Sequence, residues 1–147
     1  MNDVYEEVAK TTDYTGSKLV EGDKGARDRI LAADEDLEEL GRFWEESILA
    51  TNESLKEMLV SGTTILPDGS NNTCYEIVLE VSKSFDKMLT ESVRLTLRSF
   101  FIMSIIGQWF KFANKGEAQD YFLKGAELME TARRLLYSRR KPTLPQD

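Results

Sequence analysis

The sequence predicts a mainly α protein: a helical bundle built on a long antiparallel helix hairpin, with a small β-hairpin arm and an extended C-terminal tail. Apolar residues recur at helical spacing on two long segments between Leu89 and Leu136, separated by the short polar stretch 114–116. A period of two replaces the helical period at 75–81, and the sequence after residue 138 is basic and contains prolines. The length of 147 residues fits one helical domain over 1–147.

The N-terminal part predicts a short helix, a loop and then a long acidic helix. Apolar spacing over 3–12 predicts the short helix, and Thr-, Gly- and Asp-rich sequence follows through residue 25. Over 34–58, apolar residues recur every three or four positions behind a run of acids, which a helix dipole favours at the N-terminus. Gly62 is the predicted stop of this helix, because glycine suits the left-handed conformation that follows a helix end.

A β-hairpin arm is predicted over 63–81, with 63–66 paired to 74–81 across a turn rich in Pro, Asp, Gly and Asn. A two-stranded hairpin is marginal in water by itself, so it needs either the helices or a neighbouring subunit to pack on. Tyr75 and Ile77 are therefore candidate interface residues. The other interpretation is a loop that only covers the bundle.

The last two helices carry the strongest apolar signal. The third begins near Asp86, and Asn114 with Glu117 fits a capping pair for the fourth. Small residues on the fourth helix allow close approach to the third: Gly125, Ala126 and Ala132. The predicted core includes four large aromatic side chains: Trp44, Phe101, Trp109 and Phe122.

The charge is distributed unevenly along the chain. Residues 1–62 hold 16 acids and 7 bases, a balance of −9, whereas 63–147 hold 10 acids and 12 bases, a balance of +2. Such a chain can attract its own copies head to tail or present a basic end to an acidic partner. The alternative is a solvated helix end, where cations complement the helix dipole. The interface predicted at this end, which includes part of the tail 139–147, comprises Arg133, Arg134, Arg139, Arg140, Lys141, Pro142 and Leu144.

The residue types that most catalysis requires are missing. The chain has no histidine, which removes the usual general base and most zinc sites, and its one cysteine, Cys74, allows no internal disulfide. The acids at 34–39 do not fit a calcium loop, because Glu39 stands where that loop needs glycine. We expect no enzyme activity, no cofactor and no metal. The first residues do not resemble a signal peptide and the apolar run 100–106 is too short to span a membrane, so we expect synthesis in the cytoplasm.

Three segments, 34–40, 92–110 and 121–142, together resemble the small head-to-tail connector (adaptor) proteins of tailed bacteriophages. They are an acidic start to a long helix, a late apolar helix ending in Gly-Gln-Trp-Phe, and a helix running from Tyr-Phe into Tyr-Ser-Arg-Arg-Lys-Pro. The resemblance implies a virion structural protein that assembles as a ring of about twelve copies between portal and tail. Its implied partners are identical subunits, the portal protein and tail or other neck proteins. Genomic DNA would pass through the channel without sequence-specific binding.

Two other functions are compatible with the same residues. One is a cytosolic helical regulator or binding module that captures a protein partner in a groove. The other is direct DNA binding through 133–141, although the acidic remainder of the chain argues against the broad basic face that such binding needs.

Overall fold

The computed structural model describes residues 1–19, 37–65, 73–113 and 115–140. Four α-helices lie within these residues: α1 (Asn2–Leu19), α2 (Leu37–Ser54), α3 (Thr90–Ala113) and α4 (Lys115–Tyr137). In sequence, the antiparallel strands β1 (Leu59–Ile65) and β2 (Cys74–Leu79) lie between α2 and α3. The predicted mainly helical fold with a small β-hairpin is therefore confirmed.

The largest helix contact in the fold joins α3 to α4. Near the junction, the rings of Phe110 and Tyr121 stack with centroids 5.5 Å apart. Farther from the junction, Gly125 of α4 lies against the ring of Phe100. Later residues of α4 thus contact earlier residues of α3, and the two helices form an antiparallel packed pair.

The segment before α3 shows how that helix begins. The carboxylate of Asp86 accepts a hydrogen bond from the backbone N of Met88 at 3.1 Å and caps a short 3-10 turn, Lys87–Leu89, that leads into α3. The prediction of a helix beginning near Asp86 is confirmed. The cap predicted at Asn114 lies outside the described residues.

The predicted end of the second helix at Gly62 is wrong. The helix α2 ends at Ser54, and Gly62 lies in the middle of β1. The amide Nδ2 of Asn52 donates to the carbonyl of Gly62 at 3.0 Å, and a Cβ at position 62 would collide with that amide. Glycine is needed here because helix and strand approach closely, and not because a helix ends.

The hairpin differs from the prediction in both strands. The first strand is longer than the predicted 63–66 and the second is shorter than the predicted 74–81. Gly62 lies opposite Ile77, and the register shifts next to Val60, which forms a bulge. The bulge interrupts the alternation of side chains in β1, and β1 is also rich in Ser, Gly and Thr, so its period was hidden in the sequence.

The first helix is longer than predicted. Helix α1 continues to Leu19, past the predicted end at residue 12 and through Gly16. Val4, Tyr5 and Val8, in the first half of the helix, are buried in the core.

The buried apolar residues form one cluster to which all four helices contribute. The core prediction is confirmed for Trp44 and Phe101, whose rings meet edge to face with centroids 4.8 Å apart. Trp109 is half-buried and packs against the cluster. The core prediction is wrong for Phe122, which is 40% exposed: one side of its ring covers Gly107, and the residue lines the open space between α2 and α4.

Candidate functional site

The described arginines of the predicted interface lie at the far end of α4 and just beyond it. Arg134, Arg139 and Arg140 are exposed, and Arg133 is partly buried beside Glu130, with 3.7 Å between Nη1 and the carboxylate. No acid lies within 133–140, so this end of the helix carries four positive charges. Lys141, Pro142 and Leu144 lie outside the described residues.

Backbone pairing holds the segment that follows α4. The backbone N of Arg140 donates to the carbonyl of Ser84 at 2.8 Å, and Arg139 forms an antiparallel bridge with Phe85. Because Phe85 is buried, this pairing anchors the chain to the body of the protein as far as Arg140.

Tyr75 and Ile77 were predicted at an interface, and the structure packs both against the core of their own chain. The ring of Tyr75 stacks on Phe101 with centroids 5.2 Å apart, and its hydroxyl donates to Asn52 Oδ1 at 2.6 Å. Burial raises the pKa of this tyrosine. The hairpin was predicted to pack on the helices or on a neighbouring subunit, and in the structure it packs on the helices. Val78 is the apolar residue of β2 that is exposed.

A groove runs between α2 and α4, with α3 as its floor. It consists of two cavities of about 330 and 400 Å³ that share Phe122 as a lining residue. The first is polar and is lined by Glu39, Arg42, Phe43, Glu46, Gln108, Lys111 and Phe122. The second is mainly apolar, and its lining includes Ala50, Phe100, Phe122, Gly125, Ala126 and Met129. We call the two together the α2–α4 groove.

Small side chains leave this groove open. Ala50 and Ser54 line it on α2, and Gly125 and Ala126 line it on α4. Gly125 and Ala132 are buried in the helix pair as predicted, but Ala126 is exposed in the groove. In the sequence, the only trace of the groove on α2 is the spacing of four between the small residues Ala50 and Ser54. That spacing alone does not indicate a binding surface.

Acids and bases line both ends of the α2–α4 groove. Glu39, Glu46, Arg42 and Lys111 line the end near the start of α4, where Arg42 pairs with Glu39 at 3.4 Å. Glu130 and Arg133 line the other end. Over its whole length α2 has five glutamates and one arginine, a net charge of −4, whereas 133–140 carries +4. The described surface is therefore negative along α2 and positive beyond the end of α4.

The N-terminus of α1 borders a third cavity of about 260 Å³. Arg98 Nε donates to Asp3 Oδ2 at 2.9 Å, and this hydrogen bond holds the pKa of Asp3 below its ordinary value. Next to this cavity, burial and then the charge of Glu45 raise the pKa of Tyr5 to about 12. The contact between α1 and α3 thus includes an ion pair between Asp3 and Arg98.

Two classes of site are not found in the described part of the chain. It holds no group of three or more His, Cys, Asp or Glu residues placed to bind a metal ion. None of its helices combines the length and apolarity that a bilayer span requires. No known protein family, curated protein or solved structure matches the chain.

Proposed function

We propose that this chain is a non-enzymatic virion structural protein, a ring-forming connector between the portal and the tail of a tailed phage. The observation that carries the proposal is the separation of charge between α2 and the end of α4. The resemblance of 34–40, 92–110 and 121–142 to phage connectors supplies the partners: identical subunits, the portal protein, and tail or other neck proteins.

The charge separation supports a contact between unlike surfaces of identical subunits. The negative helix α2 forms one wall of the α2–α4 groove, and Arg133 lies on α4 about 16 Å beyond Phe122, where the two cavities meet. A positive end that meets the negative α2 of the next copy forms a heterologous contact, and such contacts close into rings when the rotation between subunits permits. Unlike charge also steers the two surfaces together in solution.

Exposed apolar side chains support the same contact. Leu49 of α2 is 67% exposed and Leu123 of α4 is 63% exposed, and each is next in sequence to a residue that lines the α2–α4 groove. Single exposed leucines are common on monomers, but exposed leucines on both α2 and α4 give a contact with a neighbour an apolar component.

The test is assembly of the full chain, alone and with a portal protein, followed by native mass spectrometry and negative-stain microscopy. We expect rings, and we expect rising salt to weaken them because the contact uses exposed charges. A variant with Arg139→Glu and Arg140→Glu should lose the rings. Its matched control, Lys10→Glu with Lys115→Glu, changes the net charge equally at exposed positions outside the basic end and should keep them. A chain that stays monomeric or dimeric and ignores the portal contradicts the proposal.

The α2–α4 groove favours a second candidate, a helical module that captures one protein partner. A groove with an apolar half and charged ends suits an amphipathic helix. The two functions separate in the same experiment, because a capture module binds a partner one to one and forms no ring with the portal.

A further inference from the structure

We propose that the α2–α4 groove binds residues 141–147 of a second copy of this chain. The inference rests on the proposed function, since it names the contact through which neighbouring subunits hold each other. Four properties of the described residues support it: the apolar half of the groove, the closure of one end, the path of the chain up to Arg140, and the length of chain beyond Arg140.

The apolar half of the groove fits the residue types of the segment. Its floor is Phe100, one wall carries Phe122, and the opposite wall carries Ala50, so an inserted side chain meets rings and methyl groups. Pro142, Leu144 and Pro145 are the apolar residues of the segment, and both prolines lack the N–H that continued helix pairing would need. The leucine is the side chain best suited to fill the space above Ala126.

A contact one turn beyond the groove closes the end near Arg133. The hydroxyl of Tyr137 donates to Glu57 Oε2 at 3.2 Å, which joins the end of α4 to the turn after α2. The residues after Tyr137 therefore start on the far side of this contact. From there, the pairing of Arg140 with Ser84 leads the chain toward the residues that follow β2. As far as Arg140, the described chain therefore leads away from its own groove.

The length of the segment and the charge of α2 fit insertion from the end of the groove near the start of α4. Seven extended residues span about 23 Å, and the distance along α4 between Phe122 and Arg133 is about 16 Å. When a neighbour's segment enters at the end near the start of α4, its Arg139 and Arg140 come near Glu46, which has no ion-pair partner in the described part of the chain. Lys111 lies at this end too and opposes the approach, so most of the attraction must come from the wider acidic face of α2.

Disulfide trapping between two labelled copies tests the inference in the full chain. All copies carry Cys74→Ser; one isotope-labelled pool adds Leu144→Cys, and an unlabelled pool adds Ala126→Cys. The matched control replaces Ala126→Cys by Glu127→Cys, which is exposed on the adjacent face of α4 outside the groove. We expect a linked dimer of mixed mass about tenfold more abundant with Ala126→Cys than with the control, because docking raises the effective concentration of the two thiols.

Several results overturn the inference. The first is an equal yield of the mixed-mass dimer from Ala126→Cys and from the control. The second comes from a variant that carries Leu144→Cys and Ala126→Cys in the same chain: a disulfide that forms only within that chain overturns the inference. Rings that assemble without the Ala126→Cys to Leu144→Cys link remove the inference and leave the proposed function intact. If the link forms without rings, the inference stands and the connector function is contradicted. If neither the link nor the rings form, both proposals are contradicted.

Discussion

Helices α3 and α4 have nearly the same length, 24 and 23 residues, but very different surroundings. From Phe100 to Phe110, α3 has no exposed residue, because α1, α2 and α4 all pack on it. Helix α4 packs chiefly on α3 and leaves Leu123 and Tyr137 more than half exposed. Helix α3 is thus the centre of the core, whereas α4 contributes one face to the core and leaves the other exposed.

One phenylalanine from each helix tests this difference in burial. Phe110 is fully buried on α3, so Phe110→Ala should lower the free energy of unfolding by about 3 to 5 kcal/mol. Phe122 is 40% exposed on α4, so Phe122→Ala should cost only about 1 kcal/mol. Urea unfolding followed by circular dichroism measures both values. Similar losses at the two positions would show that α4 contributes as much to the core as α3 does.

The same contrast explains what the sequence could predict. Helical periodicity located α3 and α4 because burial on one side leaves a repeating apolar pattern. Periodicity does not tell which apolar positions find a partner, so Phe122 was assigned to the core together with Phe101. The missing information is tertiary: Gly107 makes room for one side of the ring, and the separation of α2 from α4 leaves the ring beside an open groove.

Local signals were misleading where a residue serves a distant contact. Glycine is a residue type that commonly follows a helix end, so Gly62 was taken for one. Its role in the structure depends instead on Asn52 of α2, which packs against it. The candidate groove could not be predicted for a related reason. It forms between helices that are far apart in sequence, and small residues such as Ala50 and Ala126 mark it only after the helices are placed.

Two glycines, Gly107 and Gly125, lie in the contact between α3 and α4. A Cβ at Gly107 would lie 2.8 Å from Phe122 Cε1, so Gly107→Ala should displace that ring and cost about 1 kcal/mol despite better helix propensity. In a Phe122→Ala background, the same change should instead stabilise by up to about 1 kcal/mol. A double-mutant cycle by urea unfolding measures this coupling.

Gly125 is the matched control for that cycle. A Cβ there would lie 3.7 Å from the ring of Phe100, which is ordinary contact, so Gly125→Ala should stabilise by about 0.5 to 1 kcal/mol. Additive effects of Gly107→Ala and Phe122→Ala would mean that the ring does not lie over position 107.

Two tyrosine hydroxyls compare the covered and open sides of the molecule. Tyr75→Phe removes a 2.6 Å hydrogen bond to Asn52 beside the core and should cost about 1 kcal/mol. Tyr137→Phe removes a 3.2 Å bond to Glu57 at an exposed position and should cost close to nothing. Thermal unfolding of the two variants beside the parent protein measures the difference.

The pH dependence gives an independent check on Tyr75. Because burial raises its pKa, the folded state keeps a proton that the unfolded state releases above its ordinary pKa of about 10. Stability should therefore fall as the pH rises past that value, and Tyr75→Phe should make the fall less steep. A fall that is unchanged in the variant would assign the effect to other groups.

An ion pair between Arg98 and Asp3 joins α1 to α3. Arg98 holds the pKa of Asp3 below its ordinary value, so the pair stabilises the fold at neutral pH, and this contribution is lost as the pH falls below 3.8 and through the lowered pKa. Asp3→Asn should cost less than about 1 kcal/mol at pH 7, because the carboxylate is largely exposed. The difference from the parent protein should vanish in acid, whereas Asp120→Asn, an exposed change on α4, should show no difference at either pH. Urea unfolding at pH 7 and in acid measures the free energy of unfolding of both variants and of the parent protein. A cost for Asp3→Asn that persists in acid would mean that the ion pair does not stabilise the contact between α1 and α3.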